Sequence, residues 1–147
     1  MEHEALIRVC LRLATGAQEK GNHPFGALLA ENGEILLTAE NTVNTDRDCT
    51  RHAELNLVSR AVRDRESLSH STLYTSTEPC AMCAGAIYWA GIPTVVYGCS
   101  AASLGRITGG SLVIPCREIF SRGKHRVEVI GPVLEAEAMC VHEGFWT

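Results

Sequence analysis

Thr72-Leu73-Tyr74-Thr75-Ser76, then Glu78-Pro79 and the run from Cys80 to Ala90, then Pro93-Thr94-Val95-Val96-Tyr97-Gly98 form the stretch that decides the fold. The first and last pieces are short, rich in β-branched and aromatic residues, and read as buried strands. The piece between them is long enough for a helix over about 80–90. Pro79 suits its first turn, where a missing N–H would have had no partner anyway. Strand, helix and strand in direct succession are the alternation that lays helices over a central sheet.

The pattern extends in both directions. Upstream, Phe25-Gly26-Ala27-Leu28-Leu29-Ala30 and Glu34-Ile35-Leu36-Leu37-Thr38-Ala39 flank Asn32-Gly33, which predicts a hairpin with a tight turn. A polar loop from Asn41 to Arg51 leads to a helix over 52–65, with Thr50 as its N-cap and Leu55, Val58 and Val62 as its buried stripe. Residues 2–18 predict a first helix with Leu6, Val9, Cys10, Leu13 and Ala17 on one face. Arg8 and Arg12 interrupt that apolar stretch at helical spacing, so it reads as an amphipathic helix and not as a signal peptide. Downstream, 100–125 reads as irregular, punctuated by Gly105, Gly109 and Gly110. Arg126–Ile130 predicts a last strand and 134–146 a terminal helix. The expected fold class is α/β, a three-layer α/β/α sandwich.

Composition narrows the function classes. The 147 residues are 46% apolar and 20% charged, a globular balance expected to form one domain over 1–147. Lys plus Arg is 13 against 17 for Asp plus Glu, and a net charge of −4 does not suit a protein built to hold nucleic-acid phosphates. No run nears the ~20 apolar residues of a membrane span. The expected location is cytoplasmic and reducing. Seven cysteines, an odd number, then read as thiols or metal ligands and not as a disulfide framework.

The chemistry gathers at His52, Cys80 and Cys83, with Glu54 two positions after the histidine. Zinc takes imidazole and thiolate readily, and catalytic zinc keeps three protein ligands and one open position. Cys80 and Cys83 lie three apart on one predicted helical face, so both sulfurs can reach one ion. Both ligand sets fall at predicted helix N-termini, where the macrodipole favours thiolates. On a regular helix His52 and Glu54 would lie about 200° apart, so they share a site only at the helix tip. A carboxylate beside a metal-activated water is a natural base and proton shuttle. A structural zinc site would need a fourth protein ligand, and no second Cys-x-x-Cys or His pair supplies one.

Thr50-Arg51-His52-Ala53-Glu54 together with Thr77-Glu78-Pro79-Cys80-Ala81-Met82-Cys83 resemble the cytidine deaminase-like zinc deaminases. The resemblance covers nearly the whole chain and is nearest the branch of guanine deaminases, yeast-type cytosine deaminases and tRNA adenosine deaminases. It implies a sandwich around a central mixed five-stranded sheet, a homodimer, and Zn²⁺ held by His52, Cys80 and Cys83. It also implies hydrolytic removal of an exocyclic amine. Glu54 would take a proton from the zinc-bound water, hand it to a ring nitrogen, and protonate the departing ammonia. Asn41 matches a base-binding asparagine, Phe25 and Trp89 match walls of the base pocket, and Ala53 falls with them among the substrate-binding positions.

The resemblance leaves the ring open between two substrate classes. Pro24-Phe25-Gly26-Ala27, Ala86-Ile87-Tyr88-Trp89-Ala90 and the aromatic end Phe145-Trp146 resemble guanine deaminases, which close a C-terminal segment over the pocket. The bland reading of Phe145 and Trp146 is hydrophobic anchoring of the last helix. Gly109-Gly110-Ser111-Leu112 and the basic cluster Arg117, Arg122, Lys124 and Arg126 point instead toward a tRNA adenosine deaminase. The expectation is a small nucleobase-like substrate, guanine first, cytosine or an aminotriazine next. tRNA is the alternative, and a non-catalytic zinc-stabilised binding protein a second one, against which Glu54 speaks. His3, His70, His125 and His142 show no ligand pattern. His23 reads as a loop histidine. Cys10, Cys49, Cys99, Cys116 and Cys140 read as buried or idle thiols.

Overall fold

The computed structural model describes residues 2–146. The element order is α1 (Glu2–Glu19), β1 (Gly26–Glu31), β2 (Glu34–Glu40), α2 (Val43–Asp46), α3 (Ala53–Asp64), β3 (Thr72–Thr77), α4 (Ala81–Ala90), β4 (Thr94–Cys99), α5 (Ala101–Thr108), α6 (Cys116–Phe120), β5 (Glu128–Ile130) and α7 (Glu135–Cys140). One five-stranded sheet runs in the order β2-β1-β3-β4-β5. β1 pairs antiparallel with β2 and β3, whereas β3, β4 and β5 are parallel, so the sheet is mixed as expected.

Asn32 and Gly33 both adopt positive φ, 53° and 78°, the geometry that lets a two-residue turn follow the twist of its strands. β1 is an interior strand of the sheet, and Ala27, Leu28 and Leu29 are fully buried. Its alternate side chains enter two cores. Ala27 and Leu29 join Leu57, Leu73, Ile87 and Val95 under α3 and α4. Leu28 and Ala30 join Ile7, Cys10, Tyr74 and Val96 under α1 and α7. Period-two alternation thus feeds both layers from one strand.

Several local expectations shift. In α1 the buried face is Leu6, Ile7, Cys10, Leu11, Ala14 and Ala17, while Val9 and Leu13 lie at its margin. In α3 the buried residues are Ala53, Glu54, Leu57, Val58 and Ala61, and Val62 is 49% exposed. The stripe turns because Glu54, a charged residue, faces inward. Thr50 does not cap α3: its hydroxyl donates to Asp48 Oδ1 at 2.6 Å, and His52 stands at the N-cap. Pro79 precedes the N-cap Cys80 and is not in the first turn of α4. The region 100–125 is not irregular throughout, since it holds α5 and α6. The last strand begins at Glu128, and the terminal helix ends at Cys140, with turns beyond it.

Candidate active site

His52 and Cys80 occupy the N-caps of α3 and α4, and Cys83 lies in the first turn of α4. Both caps have extended backbone, with φ and ψ of −67° and 155° at His52 and −70° and 175° at Cys80. His52 is therefore off the helical screw, which removes the angular conflict with Glu54. Cys80 and Cys83 converge as cap and first turn, not as two positions on one helical face. The two helices bring their N-terminal ends to one point.

Nδ1 of His52 lies 3.6 Å from Sγ of Cys80 and 3.6 Å from Sγ of Cys83. The three ligand atoms all fall within 4.8 Å of one another. A tetrahedral zinc with ordinary Zn–N and Zn–S bonds holds nitrogen and sulfur about 3.6 Å apart, so the donor set fits the ion in both chemistry and spacing. The hydrogen bond from the Cys83 thiol, with help from His52, pulls the Cys80 thiol down to about 4. The same bond, with burial, pushes Cys83 up. His52 is raised, chiefly by its bond to Cys80. One site negative charge is thus already in place for a cation.

Glu54 is only 5% exposed. Burial first, then the negative charge at Cys80, push its carboxyl up to about 7. Ala53 beside it is fully buried. Asn41 is buried at the end of β2, its backbone N–H donating to the carbonyl of Phe25 at 3.1 Å and its Oδ1 accepting from Val43 N–H at 3.0 Å. Asn56 on α3 straps this corner down by donating through Nδ2 to the Glu40 carbonyl, 2.9 Å, and to Thr42 Oγ1, 3.0 Å.

The C-terminal turn folds back over the start of β1 within the same chain. Trp146 lies 5.3 Å from the His23 ring and 6.0 Å from Phe25, ring centre to ring centre. Phe145 meets His23 at 5.8 Å and Trp146 edge-on at 4.8 Å. His23 is close enough to His52 to feel it: burial, then that neighbour, lower its pKa. The aromatic cap therefore packs on His23 and Phe25, at the start of β1. Trp89 does not join it. It is 84% exposed, edge-on to Tyr88, and nine residues past Cys80, about 13 Å along the helix axis. The basic cluster is partly used up as well. Arg117 donates to the carbonyl of Val129 at 3.0 Å and holds β5 in place.

Three residues went unassigned to any role in the sequence. His142 and Thr77 are buried and bond to each other, at 2.9 Å. The four-residue spacing of His142 and Trp146 was the available signal. Glu78 is a third: its two carboxylate oxygens accept from the backbone N–H of Ala101, 2.8 Å, and of Cys116, 2.6 Å, tying α5 and α6 to the strand that delivers Cys80.

A mixed sheet carrying a His-Cys-Cys trio at two helix N-termini, with a buried glutamate beside it, is the arrangement of a zinc-dependent hydrolase. Residues 1–99 match the cytidine and deoxycytidylate deaminase zinc-binding region, and the chain belongs to that family. It is 41% identical over 148 residues to a probable cytosine deaminase of Schizosaccharomyces pombe, covering 97% of this chain and 91% of that one. It is 35% identical over 138 residues to a tRNA-specific adenosine deaminase of Bacillus subtilis, covering 92% and 83%. A solved guanine deaminase of Nitrosomonas europaea superimposes with a TM-score of 0.80 at 25% identity, covering 94% of this chain and 81% of that one. The chain is accordingly a zinc-dependent hydrolytic deaminase.

Proposed function

We propose that the substrate is a free nucleobase, with cytosine ahead of guanine, and that the product is the corresponding oxo base and ammonia. The observation that carries this is the aromatic cap, Phe145 and Trp146 folded onto His23 and Phe25 at the start of β1. On this reading the cap would enclose a bare base and keep bulk water from it, and would stand in the way of an attached ribose or polynucleotide. Cytosine moves ahead of guanine because the similarity to the cytosine deaminase extends through the C-terminal segment, at 97% of the chain.

His52, Cys80 and Cys83 would hold zinc, a Lewis acid that makes a water ionisable near neutral pH. Glu54 supplies the proton traffic. Buried beside the trio, it can accept a proton and return it, first to a ring nitrogen and then to the leaving amine. Asn41 is oriented for recognition, since its Oδ1 is committed to Val43 and its Nδ2 is left to donate to a ring carbonyl. Ala53 N–H, the first amide of α3, has no acceptor within the helix and is a second donor for the base. Phe25 supplies an apolar wall. A homodimer completes the reading, with Trp89 a natural part of a subunit contact at its 84% exposure.

The superposition on the guanine deaminase keeps guanine as the second candidate. The net charge of −4 weakens the tRNA reading. Ammonia release by the zinc-loaded protein from cytosine, guanine, their nucleosides and tRNA tests the proposal. Release from the free bases, cytosine fastest, is expected; release from tRNA or nucleosides alone would overturn it.

A further inference from the structure

The C-terminal turn contains a hydrogen-bond relay that the reaction as described leaves unused. His142 is fully buried, with Nε2 at 2.9 Å from Thr77 Oγ1 and Nδ1 at 3.1 Å from Trp146 Nε1. An indole N–H can only donate. Nδ1 must therefore be the bare nitrogen, and the ring's one proton sits on Nε2, donated to the Thr77 hydroxyl. The other neutral tautomer and the imidazolium both place a hydrogen on Nδ1, where Trp146 already points one. Of three protonation forms, a single one holds the last turn of the chain in place.

We propose that His142 is a positioning residue: its neutral Nε2–H form ties Trp146 to Thr77 at the end of β3 and so sets the closed position of the aromatic cap over the substrate. The effect on turnover rests on the free-base reading above, whereas the tautomer rests on geometry alone. Thr77 lies three residues before Cys80, so the relay references the cap to the strand that delivers a metal ligand. The cap's other contacts are ring on ring, at 5.3 and 6.0 Å from Trp146 to His23 and Phe25, and such contacts fix a ring's neighbourhood better than its direction.

The surroundings suit a neutral ring. Phe25 packs on His142 at 5.3 Å and Trp146 at 6.2 Å. The charged groups of the adjoining elements are turned to other tasks. Glu78, next to Thr77, bonds to Ala101 and Cys116; Glu135 and Glu137 on α7 bond to Ser100 and Arg8; Glu143 is exposed. His23 lies across the cap, its ring against Trp146 and Phe145. Burial keeps His142 unprotonated, its pKa lowered to about 4.

The test uses the full-length zinc-loaded protein and two readouts. Nitrogen-15 NMR of the histidine rings near neutral pH should show His142 as the Nε2–H tautomer, with an Nδ1 resonance that moves in Trp146→Phe. In the same variant KM for the free base should rise about 5- to 10-fold, the equivalent of one lost neutral hydrogen bond, while kcat stays within about twofold. An Nδ1–H tautomer, or an Nδ1 resonance indifferent to Trp146→Phe, overturns the relay. An intact relay with unmoved KM overturns the positioning role. If the wild type releases ammonia from none of the bases, the free-base reading fails while the NMR result still decides the relay.

Discussion

His52 and Glu54 are two residues apart, and their cooperation depends on where α3 begins. Because the helix starts at Ala53, the histidine keeps extended backbone while the glutamate occupies the first turn and faces inward. Glu54→Gln keeps the side-chain volume and removes the titrating proton. It should bind zinc in full and lose turnover by about 10²- to 10⁴-fold, the usual worth of a positioned acid–base group, as read by metal analysis and steady-state kinetics on one preparation. Cys83→Ala is expected to act the other way round. It removes one of three ligands, so zinc content itself should collapse under dialysis against a weak chelator, with activity following it. Equal zinc content in that variant would remove Cys83 from the ligand set.

At the scale of elements, Glu78 links α5 and α6 to the strand leading into the metal site. Its carboxylate accepts from two helix-start amides, 23 and 38 residues along the chain. Glu78→Gln keeps one acceptor oxygen but turns an NH₂ toward the other amide. It should cost about 2 kcal/mol, seen in urea melts as a lower midpoint with an unchanged slope. The same residue explains what was legible in the sequence and what was not. The strands 72–76 and 93–98, the hairpin around Asn32-Gly33 and the ligand trio announce themselves through local chemistry: β-branched runs, a turn dipeptide, and soft ligands at helix starts. α5 and α6 are weaker signals. Ser100 caps α5 by accepting from Ser103 N–H, and Gly109 ends it in the left-handed region. Yet Gly105 sits inside it, α6 is five residues long, and both starts also lean on a carboxylate far off in sequence. Glu54 was legible as a site residue from its place two positions after His52, although hydrophobic periodicity alone would assign a charged residue to solvent.

At the scale of the whole molecule, metal binding and protonation should both register in stability. Zinc binds the folded trio and has no comparable site in the unfolded chain, so chelation should lower the melting temperature as well as abolish turnover, and added zinc should restore both. His142 sets a second dependence. Its folded pKa of about 4 lies below the ordinary 6.5, so the unfolded chain takes up the proton first as pH falls. Its contribution is whole above 6.5 and declines toward 4, by at most about 1.4 kcal/mol per pH unit. With zinc held saturating, urea melts across that window should show a shallower decline in His142→Gln than in the wild type; equal slopes would mean that another group carries the dependence. The central claim is that Glu54 and the trio hydrolyse the amine of a free base. It is tested most directly by incubating the zinc-loaded protein with cytosine in oxygen-18 water and weighing the ring product. The account predicts uracil carrying one labelled oxygen for each ammonia released, and at least about 100-fold less of it from Glu54→Gln in the same time. Unlabelled product, or undiminished label from Glu54→Gln, would contradict it.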